Sequence, residues 1–276
     1  MRSDIVFGQY CEGSSFLHKL DPRWKIIFVF SYIVGLFLAK NIFAFALMTL
    51  SIILLWVLSG IRAKILIKGL RPLLFIIAFT AIINIFWFKG ETPLLPDSWF
   101  FQIYLEGIIN ALLIVLRVAV LVTGTSILLT YTTTPIALTD GIEQLLAPLA
   151  KIKVPVHEFS MMMTIALRFI PTLIEETDKI MSAQKARGSD FSQGSLARRA
   201  KALVPVLVPL FISAFRRAED LATAMECRCY TGGAGRTRMN VLHSTWRDAV
   251  MLVAIAAFIA GIVLLNIFAP GYVFAM

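Results

Sequence analysis

"LVPVLVPLFISAFRRAEDLATAMECRC" (Leu203–Cys229) begins like a membrane segment and ends like a water-soluble helix. Its first thirteen residues are nearly all apolar, but they contain Pro205 and Pro209. They also fall short of the roughly 20 apolar residues that cross a bilayer. Such a stretch suits a helix lying along a membrane face or packed on another apolar helix. The same design recurs just upstream, where "FSMMMTIALRFIP" (Phe159–Pro171) leads into "EETDKIMSAQKARG" (Glu175–Gly188). Two long amphipathic patterns result, one from Val156 to Arg187 and one from about Ser195 to Arg228. Pro171 is expected to kink the first or break it locally.

A shorter pattern precedes them in "TTTPIALTDGIEQLLAPLAKIKVP" (Thr132–Pro155). Thr134 is suited to cap this helix, and Pro135 to sit in its first turn. Ile142, Leu145, Leu146 and Leu149 form its apolar stripe, which ends before Pro155.

The two long patterns finish alike, with Ala186-Arg187-Gly188 and Cys227-Arg228-Cys229. Aligned on the arginines, Asp178 matches Glu219, Ile180 matches Leu221, Ala183 matches Ala224 and Ala186 matches Cys227. The shared theme repeats at an offset of 41 residues. Two helices that end alike imply two similar receptors for their ends. Arginine suits such a role, because its planar, permanent charge forks two hydrogen bonds onto a carboxylate. A single arginine at a helix C-terminus needs no partner, since it complements the dipole by about 0.3–1 kcal/mol. Two in matching contexts point to docking.

Outside this region the chain is strongly apolar. Hydrophobic residues make up 58% of the 276 and charged ones only 16%, far from the balance of a soluble domain. The expected fold is an all-α polytopic membrane protein with about five transmembrane helices and a large cytoplasmic segment of amphipathic helices. The spans are read at Trp24–Leu38, Ile42–Leu58, Leu73–Phe88, Ile103–Thr130 and Ala249–Phe268, with a tight Lys40-Asn41 turn after the first. Residues 1–130 thus hold the N-terminal tail and four spans, 131–246 the cytoplasmic helices, and 247–276 the last span and tail.

Basic residues orient this layout. The N-terminal segment carries Arg2, Lys19, Arg23 and Lys25, and Arg62, Lys64, Lys68 and Arg71 fill the loop after the second span. The opposite loops carry only Lys40 and Lys89. By the positive-inside rule the N-terminus is cytoplasmic and, with five spans, the C-terminus external. This use of basic residues also weakens a nucleic-acid reading of the net charge of +9. No cleavable signal is expected, because Asp4, Glu12, His18 and Lys19 interrupt the first 20 residues. Cys11, Cys227 and Cys229 make no disulfide framework, and Cys227-x-Cys229 lacks the second pair a metal site needs. Arg117, the basic residue deep in a span, is read as a polar contact between helices rather than an ion path, since no acidic residue deep in a span completes a relay.

At "TTTPIALTDGIEQLLAPL", "ALRFIPTLIEETDKIMSAQKARGSDF" and "RRAEDLATAMECRCYTGGAGRTRM" the sequence resembles the EcfT family, the transmembrane component of energy-coupling factor (ECF) transporters. The resemblance covers most of the chain. Ala186-Arg187-Gly188 keeps the family's ending, while Cys227-Arg228-Cys229 departs from it and keeps the arginine. The resemblance implies a complex with two ABC-type ATPases, identical or a related pair, and a membrane-embedded substrate-capture (S) subunit. It implies that Arg187 and Arg228 seat in the ATPases and that the apolar parts of these coupling helices hold the capture subunit. Met161, Met162, Met163, Ala214, Ala218 and Ala222 are candidates for that platform, with packing between the helices as their alternative role. Methionine makes an adaptable surface that can receive different partners.

The function implied is energy coupling in an importer of vitamins or micronutrients in the cell membrane. No catalytic residue, metal site or cofactor is assigned to this chain, and ATP and Mg belong to the partner ATPases. The chain has no G-x-x-x-x-G-K-[ST] loop, and the glycine-rich "TGGAGRTR" is read as a turn. A secondary transporter would show inverted halves or broken helices with polar midplane residues, which are not evident. A membrane-bound enzyme would draw on His157, Glu158, Glu175 and Glu176, which form no H-E-x-x-H set and read as solvated helix surface.

Overall fold

The computed structural model describes residues 10–87, 104–189, 191, 195–232 and 242–268, and these are overwhelmingly helical. The order is α1 Pro22–Leu38, α2 Ile42–Ser59, α3 Ala63–Leu70, α4 Leu74–Trp87, α5 Leu105–Thr125, α6 Pro135–Leu146, α7 Val156–Ala186, α8 Leu196–Cys227 and α9 Trp246–Phe268. Two compact units form, one of Met1–Gly141 with Leu242–Met276 and one of Ile142–Val241.

Among the described residues of the first unit, four helical segments are long and apolar enough to cross a membrane: Ile42–Ser59, Ala63–Trp87, Leu105–Thr130 and Trp246–Phe268. The expected first span, α1, has 17 residues and lies at the lower limit. Its contacts decide the matter. At its start the Asp21 amide donates to Asp248 Oδ1 at the head of α9 (3.0 Å). At its far end Asn266 of α9 donates to the Leu38 carbonyl (2.7 Å), and Asn41 Nδ2 donates to Leu265 O (3.3 Å). The two helices therefore run parallel, tied at both ends, and α1 crosses the same layer as α9. Among the described residues this makes five candidate spans, the fifth resting on this pairing rather than on length.

Their inner faces share a core that includes Phe28, Tyr32, Leu36, Met48, Leu55, Val120, Ile127 and Ile255. The outer faces stay apolar: Phe75, Phe79 and Trp87 of α4 are exposed, and α4 buries no residue. In water this would be untenable, but in hydrocarbon it is the expected arrangement.

The structure corrects several sequence expectations. Lys64 and Lys68 belong to a helix rather than a loop, because α3 runs through a 3-10 turn at Arg71–Leu73 directly into α4. Lys25 is no free loop charge: it is 1% exposed, and its ammonium donates to Thr132 O, Thr132 Oγ1 and Thr133 Oγ1. Phe88, Lys89 and Ile103 lie outside the described residues, as do Arg2, Asp4, Asp190 and most of "TGGAGRTR". Arg117 is the polar contact expected of it. Its Nη2 donates to the Ala39 carbonyl at the C-terminus of α1 (2.6 Å), and its guanidinium lies 5.1 Å from the centre of the Phe45 ring. A cation there meets the negative end of the helix dipole and an electron-rich ring face together.

Candidate functional site

Still within the first unit, α6 begins as its sequence predicts, with the Ala137 amide donating to Thr134 Oγ1 (3.3 Å) ahead of Pro135. The stripe does not survive as one face, because the backbone tightens to a 3-10 helix at Ala147–Ile152. Ile142, Leu146 and Leu149 are left exposed. Pro171 does not break α7, which continues through it for 31 residues, and α8 likewise runs 32 residues through Pro205 and Pro209.

The two arginines occupy equivalent places in one backbone motif. Arg187 is the C-cap of α7, and Gly188 follows it at φ +89°. The Gly188 amide donates to Lys185 O (3.0 Å) and the Ser189 amide to Gln184 O (3.0 Å). Arg228 is the C-cap of α8, and Cys229 follows at φ +54°. The Cys229 amide donates to Glu226 O (2.8 Å) and the Tyr230 amide to Met225 O (3.0 Å). Each pair is a Schellman motif, which satisfies the last helical carbonyls through one left-handed residue. The small residue after each arginine is therefore a backbone requirement. Glycine meets it freely, whereas Cys229 adopts a conformation that costs an L-residue about 1–2 kcal/mol.

Both tips are presented outward. Ala186, Arg187, Gly188, Cys227, Arg228 and Cys229 are all exposed. Among the described residues neither guanidinium hydrogen-bonds or pairs with an acid of this chain.

The tips also point apart. Arg217 Nη2 of α8 donates to Glu176 Oε2 of α7 (2.9 Å), and Gln184 Nε2 donates to Pro205 O (3.4 Å). As numbers fall along α7 they rise along α8, so the helices run antiparallel where they meet. Glu176 and Arg217 stand 41 residues apart, the offset that separates the two arginine tips. This ion pair therefore joins equivalent positions of the repeat. Each tip lies eleven residues further on, about 16 Å at 1.5 Å per residue. They extend in opposite senses, out of reach of any single small binding groove.

Glu176 is thus not the plain solvated surface its sequence suggested, and neither is His157, whose Nδ1 lies 3.0 Å from Glu143 Oε1. The signal missed for Glu176 was the repeat offset. The signal missed for the tips was the glycine at the position after a helix C-cap. Of the candidate platform residues, Met162 and Met163 of α7 are exposed (58% and 41%) and Met161 is half-buried. On α8, Ala218 and Ala222 are exposed and Ala214 is half-buried.

Comparison with known proteins identifies the family. Residues 13–241 match the model of the CbiQ family, described as cobalt transport protein. A protein from Ruminiclostridium cellulolyticum named energy-coupling factor transporter transmembrane protein EcfT is 53% identical over 96% of this chain and 98% of its own length. The proteins of that name from Clostridium kluyveri and Bacillus subtilis are 52% and 48% identical over 91% and 92% of this chain, covering 92% and 96% of their own lengths. The chain belongs to the EcfT family. It is the transmembrane component of an energy-coupling factor transporter, and the four candidate membrane spans among the described residues of this EcfT chain lie in its first unit.

Proposed function

We propose that this EcfT chain is the energy-coupling subunit of an ABC-class importer in the cell membrane, with its N-terminus cytoplasmic. Two ATPase subunits, identical or a related pair, take up Arg187 and Arg228. A membrane-embedded S subunit, which selects a vitamin or micronutrient, rests on the apolar parts of α7 and α8. ATP hydrolysis occurs on the ATPases with their Mg, and this chain supplies no catalytic residue.

The observation that carries the reading is the pair of outward arginines, each at the C-cap of a Schellman motif and each at an opposite end of an antiparallel crossing. A rotation of one ATPase against the other would change the crossing angle of α7 and α8, and with it the surface around Met162, Met163, Ala214 and Ala218. Small neighbours, Ala186 and Gly188 on one tip and Cys227 and Cys229 on the other, let groove walls close around each guanidinium. The basic residues near the head of α1, and the common direction of α1 and α9, support the orientation.

Arg187→Glu and Arg228→Glu test the docking. Breaking a desolvated charge pair at an interface costs about 2–5 kcal/mol, so each single change is expected to weaken ATPase co-purification and uptake together. The double change is expected to abolish assembly, while the variant stays membrane-inserted and monodisperse. Full co-purification of the double variant with both ATPases contradicts the assignment.

A further inference from the structure

"DPRWK" (Asp21–Lys25), the N-cap and first turn of α1, lies against those parts of the first unit through which the chain leaves it and returns to it. On the outgoing side, Lys25 Nζ donates to Thr132 O (2.8 Å), Thr132 Oγ1 (3.3 Å) and Thr133 Oγ1 (3.1 Å). At Gly141, the last residue before the second unit, an added Cβ would lie 3.0 Å from Pro22 Cβ and 3.2 Å from the Pro22 carbonyl carbon. No larger residue fits there without moving α1. On the returning side, Arg23 Nη2 donates to Leu242 O (3.0 Å), and Trp24 Nε1 donates to Ser244 Oγ. The Asp21 amide donates to Asp248 Oδ1 (3.0 Å), whose other oxygen accepts from the Thr245 amide (2.7 Å) and hydroxyl (3.1 Å). Five consecutive residues thus each meet the first unit's own chain on the approach to one of the two crossings.

The grip is built from groups that are expensive to bury. Lys25, Asp21, Thr132 and Asp248 are all at most 6% exposed. A buried ammonium is tolerated when its protons find acceptors, and here three protons meet three oxygens. Arg23 in turn forks onto Asp21, with Nη2 to Oδ2 at 2.7 Å and Nε to Oδ1 at 3.2 Å, which fixes its reach to Leu242. A hydrophobic turn would have served if only packing were needed, whereas directional bonds to two backbone crossings resist their being pulled away.

We propose that Asp21–Lys25 is a clasp that makes α1 and α9 move with the two chain crossings, so that displacement of the second unit is delivered to the membrane helices instead of being absorbed in the connections. The inference rests on the energy-coupling reading for the source of that displacement. Its residues are positioning residues, remote in sequence from both arginine tips and from the methionine and alanine platform.

The test uses the assembled transporter in proteoliposomes and the purified chain alone. Arg23→Gln with Lys25→Met removes the bonds on both crossings. Trp24→Phe with Ser244→Ala removes one bond and no buried charge, and so guards against a variant that fails to fold. Expected in the assembled transporter are normal ATPase co-purification, ATP hydrolysis within about two-fold of wild type, and substrate uptake per ATP lowered about five-fold or more in the first pair and about two-fold in the second. Expected in the chain alone is faster amide hydrogen exchange at 132–134 and 242–245. Unchanged uptake per ATP in both pairs overturns the clasp, and so does unchanged exchange, whether or not ATPases bind. Failure of the wild-type chain to hold ATPases instead overturns the coupling reading, and the exchange arm still decides on the clasp.

Discussion

Cys229 holds a left-handed conformation that its counterpart Gly188 holds at no steric cost. Cys229→Gly is therefore expected to firm the end of α8. The gain is about 0.5 kcal/mol, because relief of the left-handed strain is partly offset by the freer unfolded chain. The reciprocal Gly188→Ala is expected to fray α7 by about 1 kcal/mol although no atom lies within 4 Å of the new Cβ. Amide exchange at Ser189 and Tyr230, the last donors of the two motifs, reads both effects. At the other extreme of burial stands Arg117, 7% exposed. Arg117→Met keeps most of the stem but leaves the Ala39 carbonyl without this donor and Phe45 without its cation. A loss of about 1–3 kcal/mol is expected, seen as a lower unfolding temperature in lipid nanodiscs. Sequence alone showed the arginine-between-small-residues pattern but not its reason, since a positive φ is a property of the folded backbone.

The proposed coupling runs through α7 and α8, and their shared contact is modest. Glu176 and Arg217 are partly exposed, with side chains 27% and 40% accessible, so their bond is worth at most about 1 kcal/mol. A contact that weak can open and close without arresting the helices. Spin labels at Ala183 and Ala224, equivalent positions on the two helices, report the crossing. Arg217→Glu is expected to broaden their distance distribution by placing two carboxylates together. Exchanging the pair, Glu176→Arg with Arg217→Glu, is expected to narrow it again. An unchanged distribution in the single variant would deny the pair any part in setting the angle. The existence and extent of both helices were legible from the switch of apolar to polar residues, and even three internal prolines did not break them. Their antiparallel crossing was not legible, because the ion pair that marks it joins residues 41 apart. Nor was the 3-10 ending of α6, where Pro148 follows Ala147 and the stripe from Ile142 to Leu149 loses its helical period.

Over the whole molecule, the membrane unit was the easier half to read, since runs of apolar residues in α2, α4, α5 and α9 leave few alternatives. What composition hides is the polar joinery. Lys25 reads in sequence as an orienting charge, yet it is buried, as is Asp248, and the short α1 is defined as a span by its bonds to α9 at both ends. The central claim is that the two arginine tips enter two ATPase subunits at once, and the chain carries its own reporters for it. Cys227 and Cys229 flank Arg228 and are exposed, while Ala186→Cys places a thiol beside Arg187. Maleimide labelling of these thiols, quantified by mass spectrometry, is to be compared between the purified chain and the complete transporter. Strong protection of both tips in the complex is the expected result. A tip that reacts at the same rate in the complex as in the free chain contradicts the account.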